Sequence, residues 1–167
     1  MRVLAIDPSL RGTGFAVLEQ TGQKIRPLTF GVIKNSDKLL ASSCLVAIRD
    51  RLAEIIHAHQ PDCAAIESTI YVQSYRTAIA LGTARGAVIL AAAERGLPVY
   101  EYAPRKAKQA VVGRGAATKD QVAFMVRAML GLTENPPADA ADAMAIGLTH
   151  LQSLTTAAIS AKPLVRI

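Results

Sequence analysis

The chain has 167 residues, 51% of them hydrophobic, which is the size and apolar content of one ordinary globular domain. Its longest uninterrupted apolar stretch, residues 86–93, is far shorter than the ~20 residues that span a bilayer, so we expect no membrane association. The formal charge of +6 favours a polyanionic partner, because lysines and arginines gain sequence-independent affinity when they displace counterions from phosphates.

The first third of the chain predicts three antiparallel strands. Residues 3–6 form a short apolar run that ends at Asp7, because the following proline cannot continue a strand ladder. Residues 9–14 are rich in turn formers, and an extended apolar pattern resumes at residues 15–18. A further turn at Thr21 and Gly22 leads to a third strand over residues 28–33. We therefore expect a meander at the start of the sheet.

The rest of the chain predicts helices alternating with strands. Apolar residues at helical spacing from Leu45 to Ile56 precede a buried strand over residues 63–66, which ends at Glu67. A second helix is expected from about Tyr75 to Arg95, before a fifth strand from Val99 to Tyr102.

The last two predicted helices follow this strand. Thr118 and Gln121 have the form of a capping box at the start of a helix that ends at Gly131, and a final helix is expected from about Ala138 to Leu154. The predicted fold class is α/β, with a mixed five-stranded sheet of three antiparallel and then two parallel strands, flanked by helices. We expect a single domain over residues 1–154 and a mobile tail over residues 155–167.

Four acidic residues stand where solvation alone does not explain them. Asp7 and Glu67 each follow a buried strand, and the carboxyl ends of strands in α/β sheets line the functional crevice. Asp139 and Asp142 are three residues apart, so a helix presents both on one face. Each acid alone remains ambiguous, because Asp7 could cap a turn and the other two could favour the positive end of a helix dipole.

Converging carboxylates repel one another, and cations relieve that repulsion. Oxygen ligands of this kind suit Mg²⁺ or Mn²⁺. Two such ions, ~3.5 to 4 Å apart, can activate a water and stabilise the departing 3′ oxygen of a phosphodiester. The spacing alone makes a shared metal site and separate structural roles about equally plausible.

Several short motifs follow one another along the chain. They are Ala5-Ile6-Asp7-Pro8-Ser9 with Thr13-Gly14, Ala65-Ile66-Glu67, Leu81-Gly82 with Ala84-Arg85-Gly86, Tyr102-Ala103-Pro104-Arg105 with Lys108, Lys119 with Gln121-Val122, and residues 138–146. Their order closely resembles the RuvC family of Holliday-junction resolvases. The resemblance covers residues 1 to about 151. It implies a ribonuclease-H-like fold, a homodimer, a four-way DNA junction as substrate, and branch-migration partners, RuvA and RuvB.

The resemblance also implies roles for individual residues. Asp7, Glu67, Asp139 and Asp142 would hold Mg²⁺, with two ions expected per site and Mn²⁺ able to substitute. Lys108 and Lys119 would lie near the scissile phosphate, where a lysine can stabilise developing negative charge, so Lys119 joins the four acids as a catalytic candidate. Further DNA contacts are expected from a set of basic, aromatic and apolar residues: Arg105, Arg114, Arg76, Ile70, Tyr71 and Tyr75.

Two positions depart from the family pattern. Ser9 stands where a glycine usually follows Asp-Pro, which puts only the backbone conformation of that turn in question. Ile70 stands where an aromatic side chain often wedges between bases, and Tyr71 and Tyr75 are the nearby aromatic candidates. Ile70 can itself act as a wedge, because apolar side chains also separate base steps.

Three alternative functions are compatible with parts of the sequence. An actin-like ATPase also opens with a strand, an aspartate and a glycine turn, but it needs two such halves and a much longer chain. A YqgF-type nuclease shares the opening pattern but differs from the later blocks. A catalytically inactive DNA-binding module would account for the basic residues, although the retention of four acids argues against it.

The remaining features of the sequence indicate a cellular compartment and structural roles for the cysteines and one histidine. No signal peptide pattern precedes the first strand, so we expect a cytoplasmic protein. Cys44 and Cys63 form no CxxC pair and are predicted to be reduced core residues. His150 lies too far along the helix from Asp142 to share a metal ion with it, so a structural role is expected.

Overall fold

The structure is a computed structural model, and it describes residues 1–68 and 74–160 together with residues 164, 166 and 167. The elements in chain order are β1 (Arg2–Asp7), β2 (Gly12–Thr21), β3 (Lys24–Lys34), α1 (Ala41–His59), β4 (Cys63–Glu67), α2 (Tyr75–Ala93), β5 (Val99–Tyr102), α3 (Pro104–Val112), α4 (Lys119–Leu130) and α5 (Ala138–Ser160).

The five strands form one mixed sheet in the order β3-β2-β1-β4-β5. β2 is antiparallel to both β1 and β3, whereas β4 is parallel to both β1 and β5. The predicted arrangement of three antiparallel strands followed by two parallel strands is therefore confirmed. The carboxyl ends of β1, β3, β4 and β5 all lie along the same edge of the sheet.

Strand alternation divides the core into two layers. Val3 and Ala5 of β1 face α3, α4 and α5, whereas Leu4 and Ile6 face α1 and α2. Cys44 and Cys63 are both free and buried, which confirms the prediction of reduced core cysteines. Asp7, the next odd-numbered residue of β1, lies on the α5 side by the same alternation.

α3 is a helix that the sequence patterns did not predict. Pro104 occupies its first turn, where a missing N–H is tolerated, and Gly113 ends it with a φ of 82°. Ala107 and Val111, four residues apart, are its buried residues. With only this short apolar stripe among basic residues, the segment lacks the longer periodicity by which the other helices were predicted.

The final helix is longer than predicted. α5 ends at Ser160 rather than at Leu154, so residues 155–160, which were predicted to belong to a mobile tail, are helical. Close to the end of the chain, the Ile167 N–H donates to the carbonyl oxygen of Val99, and Arg166 forms an isolated bridge with Tyr100. The chain end therefore returns to the β5 edge of the sheet.

α2 is, within the part of the chain that the structure describes, the one helix long and apolar enough by composition to cross a bilayer. Ala84, Val88, Ala91 and Ala92 are buried in the core layer that α2 shares with α1. Packing against the hydrophobic core accounts for the apolar composition on this side of α2.

Candidate active site

Asp7 and Glu67 end neighbouring strands side by side. β1 and β4 are parallel with Ile6 opposite Ile66, so the next residue of each strand lies at the same level. Ala5 and Ala65 both belong to the core layer beneath α5. Because side chains alternate between the faces of a sheet, Asp7 and Glu67 both project towards α5.

The first turns of α5 bring two more carboxylates to this place. Asp139 lies in the first turn of α5, and Asp142 follows three residues later. The side chain of Asp139 lies beside β2, since a Cβ added to Gly12 would be 3.2 Å from its Oδ2 atom. The structure therefore brings together the four acids that were predicted as one site, from two strands and a helix that are distant in sequence.

Gly14 permits this close approach of α5 to the sheet. It is paired with Asp7 across β1 and β2, and a Cβ at this position would collide with the backbone carbonyl of Asp139. The sequence patterns predicted a turn at Gly14, and the family resemblance included it in the Thr13-Gly14 motif. A glycine inside a strand is a signal of close backbone approach, and this signal could have identified it.

Burial and mutual repulsion dominate the electrostatics of Asp7. Desolvation, followed by the charges of Glu67 and Asp142, raises the pKa of Asp7 to about 8. Burial likewise raises the pKa of Glu67, although a hydrogen bond from Asp7 and the positive charges of Lys119 and Lys108 oppose that rise. Asp7 and Glu67 therefore share a proton in the absence of other cations.

Lys119 contacts the acid cluster directly. Its Nζ lies 3.1 Å from Oδ2 of Asp142, and the hydrogen bond to that carboxylate raises the pKa of Lys119. The helix start that carries Lys119 is fixed by the predicted capping box, in which Thr118 and Gln121 bond each other's backbone N–H groups. Lys119 is therefore held at the acid cluster by the start of α4.

Within residues 1–68 and 74–160, no three Asp, Glu, His or Cys side chains already form a set that could hold a metal ion. Asp142 forms an ion pair with Lys119, and Asp7 forms a hydrogen bond with Glu67. Lys119 and a proton therefore neutralise the negative charge that a metal ion would otherwise neutralise. For these carboxylates to bind one cation together, Asp142 would have to release Lys119 and Asp7 would have to lose its proton. The donor chemistry nevertheless fits a divalent cation, because every donor is a carboxylate oxygen.

The predicted DNA-binding residues lie at different distances from this cluster. Lys108 of α3 is half-buried and acts electrostatically on Glu67, whereas Arg105 and Arg114 are exposed around α3. Tyr75 and Arg76 are exposed at the start of α2. Ile70 and Tyr71 lie outside the described residues.

His150 belongs to a buried polar group beneath the site. Its Nδ1 lies 2.8 Å from the Tyr102 hydroxyl, and its Nε2 lies 3.3 Å from the Cys63 thiol. Burial lowers the pKa of His150 to about 4 and raises that of Cys63 to about 12, so both groups are neutral near pH 7. The predicted structural role of His150 agrees with this position, since it joins α5 to β4 and β5.

The chain is similar to known proteins over most of its length. The family model for crossover junction endodeoxyribonuclease RuvC matches residues 3–150. A relative with that description from Akkermansia muciniphila is 54% identical over 153 residues, which are 92% of each chain. The structure of Thermus thermophilus RuvC in complex with a Holliday junction substrate superposes with a TM-score of 0.88 at 40% identity, covering 93% of this chain and 96% of that one.

A more distant structure shares the fold alone. The yeast mitochondrial Holliday junction resolvase Ydc2 superposes with a TM-score of 0.62 at 15% identity, covering 89% of this chain and 76% of that one. The family match and the 54% identical relative together extend over almost the whole chain. This chain therefore belongs to the RuvC family of crossover junction endodeoxyribonucleases.

Proposed function

We propose that this protein is a metal-dependent endonuclease that resolves four-way DNA junctions by paired nicks in opposed strands. The observation that carries the proposal is the placement of Asp7, Glu67, Asp139 and Asp142 on one face of the sheet, with Lys119 bound to one of them. A solved relative is described as bound to a Holliday junction, which supports the same substrate here. The family match disfavours the YqgF-type nuclease as an alternative.

We assign the four carboxylates to Mg²⁺, with two ions per site and Mn²⁺ able to substitute. Their oxygens are the ligands that hard cations prefer, and the neighbouring carboxylates that, after burial, raise the pKa of Asp7 favour added positive charge in this pocket. When bound, such ions supply an activated water and stabilise the oxygen that leaves the phosphodiester.

The chain's own residues supply orientation and charge. β1 and β4 fix the carboxylates of Asp7 and Glu67 on a rigid sheet, and the start of α4 fixes Lys119 beside them. A lysine at this place stabilises the negative charge that develops on the phosphate during cleavage. Lys108 adds a second positive charge on the α3 side, which favours approach of the DNA backbone.

Removing the Asp7 carboxylate tests this assignment. We expect Asp7→Asn to abolish Mg²⁺-dependent cleavage of a synthetic four-way junction while retaining junction binding, because binding depends mainly on phosphate contacts. Gel analysis of mapped nicks measures cleavage, and a mobility shift measures binding. Asp50→Asn, an exposed position on α1, is the matched control and should cleave normally. An Asp7→Asn protein that cuts at the wild-type rate contradicts the proposed site.

We further propose a homodimer that forms through α2, because paired nicks need two sites. Ile79 and Leu90 are 50% and 52% exposed, although their side chains are large and apolar. They share one helical stripe with Gly82 and Gly86, where an added Cβ would meet nothing. Two copies of such a face can pack closely about a twofold axis.

The remaining partners follow from family membership alone. We propose that the protein acts in the cytoplasm with the branch-migration proteins RuvA and RuvB, as the resemblance of the sequence implies. The exposed Arg105, Arg114, Tyr75 and Arg76 remain proposed DNA contacts, as do Ile70 and Tyr71. An inactive DNA-binding module would not need four carboxylates in one place, so we favour the nuclease.

A further inference from the structure

Lys34 ends β3 at the same edge of the sheet as the four acids. β3 runs in the same direction as β1, since β2 is antiparallel to both, so the carboxyl ends of β1 and β3 lie together. The two strands are separated only by β2, which places β3 roughly 10 Å from β1 at the usual strand spacing of about 4.8 Å. Lys34 is exposed.

The sheet register also places Lys34 on the face of the acids. Lys34 is directly opposite Gly12, and residues opposite one another in an antiparallel pair project to the same side. That side is the α5 side, because a Cβ at Gly12 would contact the Asp139 carboxylate. Ile33, the preceding residue, packs into the opposite core layer, as alternation requires. The Lys34 side chain therefore leaves the sheet next to Asp139.

The loop that follows Lys34 is held rigidly against the loop that follows Asp7. The buried Asn35 side chain donates to the carbonyl oxygens of Leu10 and Cys44, and its backbone N–H donates to the Arg11 carbonyl. The Arg11 guanidinium in turn donates to the carbonyl oxygens of Ser36 and Leu39. A surface held in this way loses little conformational entropy when it binds a ligand.

Lys34 and Lys38 carry positive charge that can bind a ligand. Both lysines are exposed, and neither forms an ion pair within the part of the chain that the structure describes. Asp37 is the acidic residue of the loop, and its carboxylate lies 3.8 Å from the Arg11 guanidinium, which compensates its charge. Lys108 of α3 acts on Glu67, which ends β4 on the other side of β1 from β3, so positive charge flanks the cluster on both sides.

We propose that Lys34, with Lys38 beside it, forms a second DNA-backbone contact on the β3 side of the acid cluster. This contact rests on the proposed function and binds the same DNA strand as Lys108 and Lys119. The axial rise of DNA is about 3.4 Å per nucleotide, and neighbouring phosphates of one strand are farther apart than this rise, so roughly 10 Å spans at most about three nucleotides. Lys34 therefore binds a phosphate within about three nucleotides of the cleaved one.

Lysine variants along the same strand test the contact. We expect Lys34→Ala to weaken four-way junction binding several-fold and to reduce the slope of log affinity against log salt by about 0.9, the value for one lost phosphate contact. Lys34→Arg should restore both quantities. Lys24→Ala is the matched control, since Lys24 is exposed at the other end of β3, and it should bind like the wild type.

The position of the contact is tested with junctions that carry one neutral methylphosphonate linkage. The linkage at the contacted phosphate should weaken wild-type binding but leave Lys34→Ala unaffected, because the two changes remove the same interaction. Wild-type affinity and salt slope in Lys34→Ala, or additive effects at every linkage, would overturn the inference. Failure of the wild-type protein to bind a junction at all would instead contradict the proposed function.

Discussion

At the scale of single residues, the site brings together carboxylates whose negative charges repel one another in the folded chain. Burial and neighbouring carboxylates raise the pKa of Asp7, and Lys119 compensates Asp142. A residue that is retained despite such destabilisation is a strong candidate for function rather than for folding. Substitutions in the cluster should therefore separate activity from stability.

Asp7→Asn should stabilise the folded protein at neutral pH. The pKa of Asp7 rises from 3.8 to about 8 on folding, so the folded state binds more protons and its stability falls as pH increases across that interval. Asparagine removes this pH dependence and can still donate to Glu67. Thermal unfolding with a chelator present should give a melting temperature for Asp7→Asn that exceeds the wild-type value by a widening margin from pH 4 to pH 8. A constant difference would contradict this electrostatic account.

Lys119→Ala should slow cleavage more than it weakens binding. Loss of one positive group at the developing charge is expected to reduce the rate by about 10²-fold, whereas one lost phosphate contact changes affinity modestly. Single-turnover cleavage at saturating protein separates the two effects, and Lys119→Arg serves as the charge-preserving control. A large loss of affinity with an unchanged rate for bound junction would reassign Lys119 to docking.

At the scale of elements, the decisive contact is between α5 and the strands β1 and β2. Gly14 lies under the Asp139 backbone, and an added Cβ at Gly147 would be 2.8 Å from Cδ1 of Leu18. Two glycines, one on each element, therefore allow the helix to lie directly on the sheet. This contact fixes the position of Asp139 and Asp142 relative to Asp7.

Gly14→Ala should affect both stability and cleavage. The new methyl group would meet backbone atoms of α5, which cannot rotate away, so we expect destabilisation of about 1–3 kcal/mol and a displaced Asp139. Gly12→Ala is the graded comparison, because its Cβ would meet the Asp139 side chain at 3.2 Å. Chemical denaturation and junction cleavage should both rank Gly14→Ala as the more damaging change. Equal effects would mean that the approach of α5 is not tightly constrained.

At the scale of the whole molecule, one edge of the sheet carries the chemistry and one helix face remains exposed and apolar. The carboxyl ends of four strands meet at the acid cluster, and basic residues stand on both sides of it. α2 packs its small buried residues against the core and presents Ile79 and Leu90 to solvent. We propose that this exposed apolar face of α2 joins two subunits, so that one dimer carries two acid clusters.

Ile79→Glu should convert the proposed dimer into monomers. A buried charge at the centre of an apolar twofold interface would be repeated on both subunits, so the repulsion acts twice. Sedimentation velocity should show the change in mass, and paired nicking of a junction should decline with it. Val46→Glu, which alters an exposed apolar residue of α1, is the control and should leave the mass unchanged. A wild-type protein that sediments as a monomer contradicts the proposed interface.

Much of the architecture could be predicted from local patterns. The strand endings at Asp7 and Glu67, the fifth strand at residues 99–102 and the capping box at Thr118 all agree with the structure. The nine-residue α3 was missed because it has only one short apolar stripe, and the end of α5 was predicted too early. Long, strongly periodic segments carry their own signal, whereas short or terminal ones depend on packing.

The sequence by itself determined which apolar residues alternate along strands, which repeat at helical spacing, and which acids stand at positions that exposure to water does not explain. Only the tertiary structure decided that β1 lies between β2 and β4, and that Gly14 meets the backbone of Asp139. It also decided that Lys34 projects from the same face of the sheet as the four acids. Local patterns act through neighbours within a few residues of the chain. Strand register and helix approach depend instead on how distant side chains fill the space between them, and that is settled when the core packs.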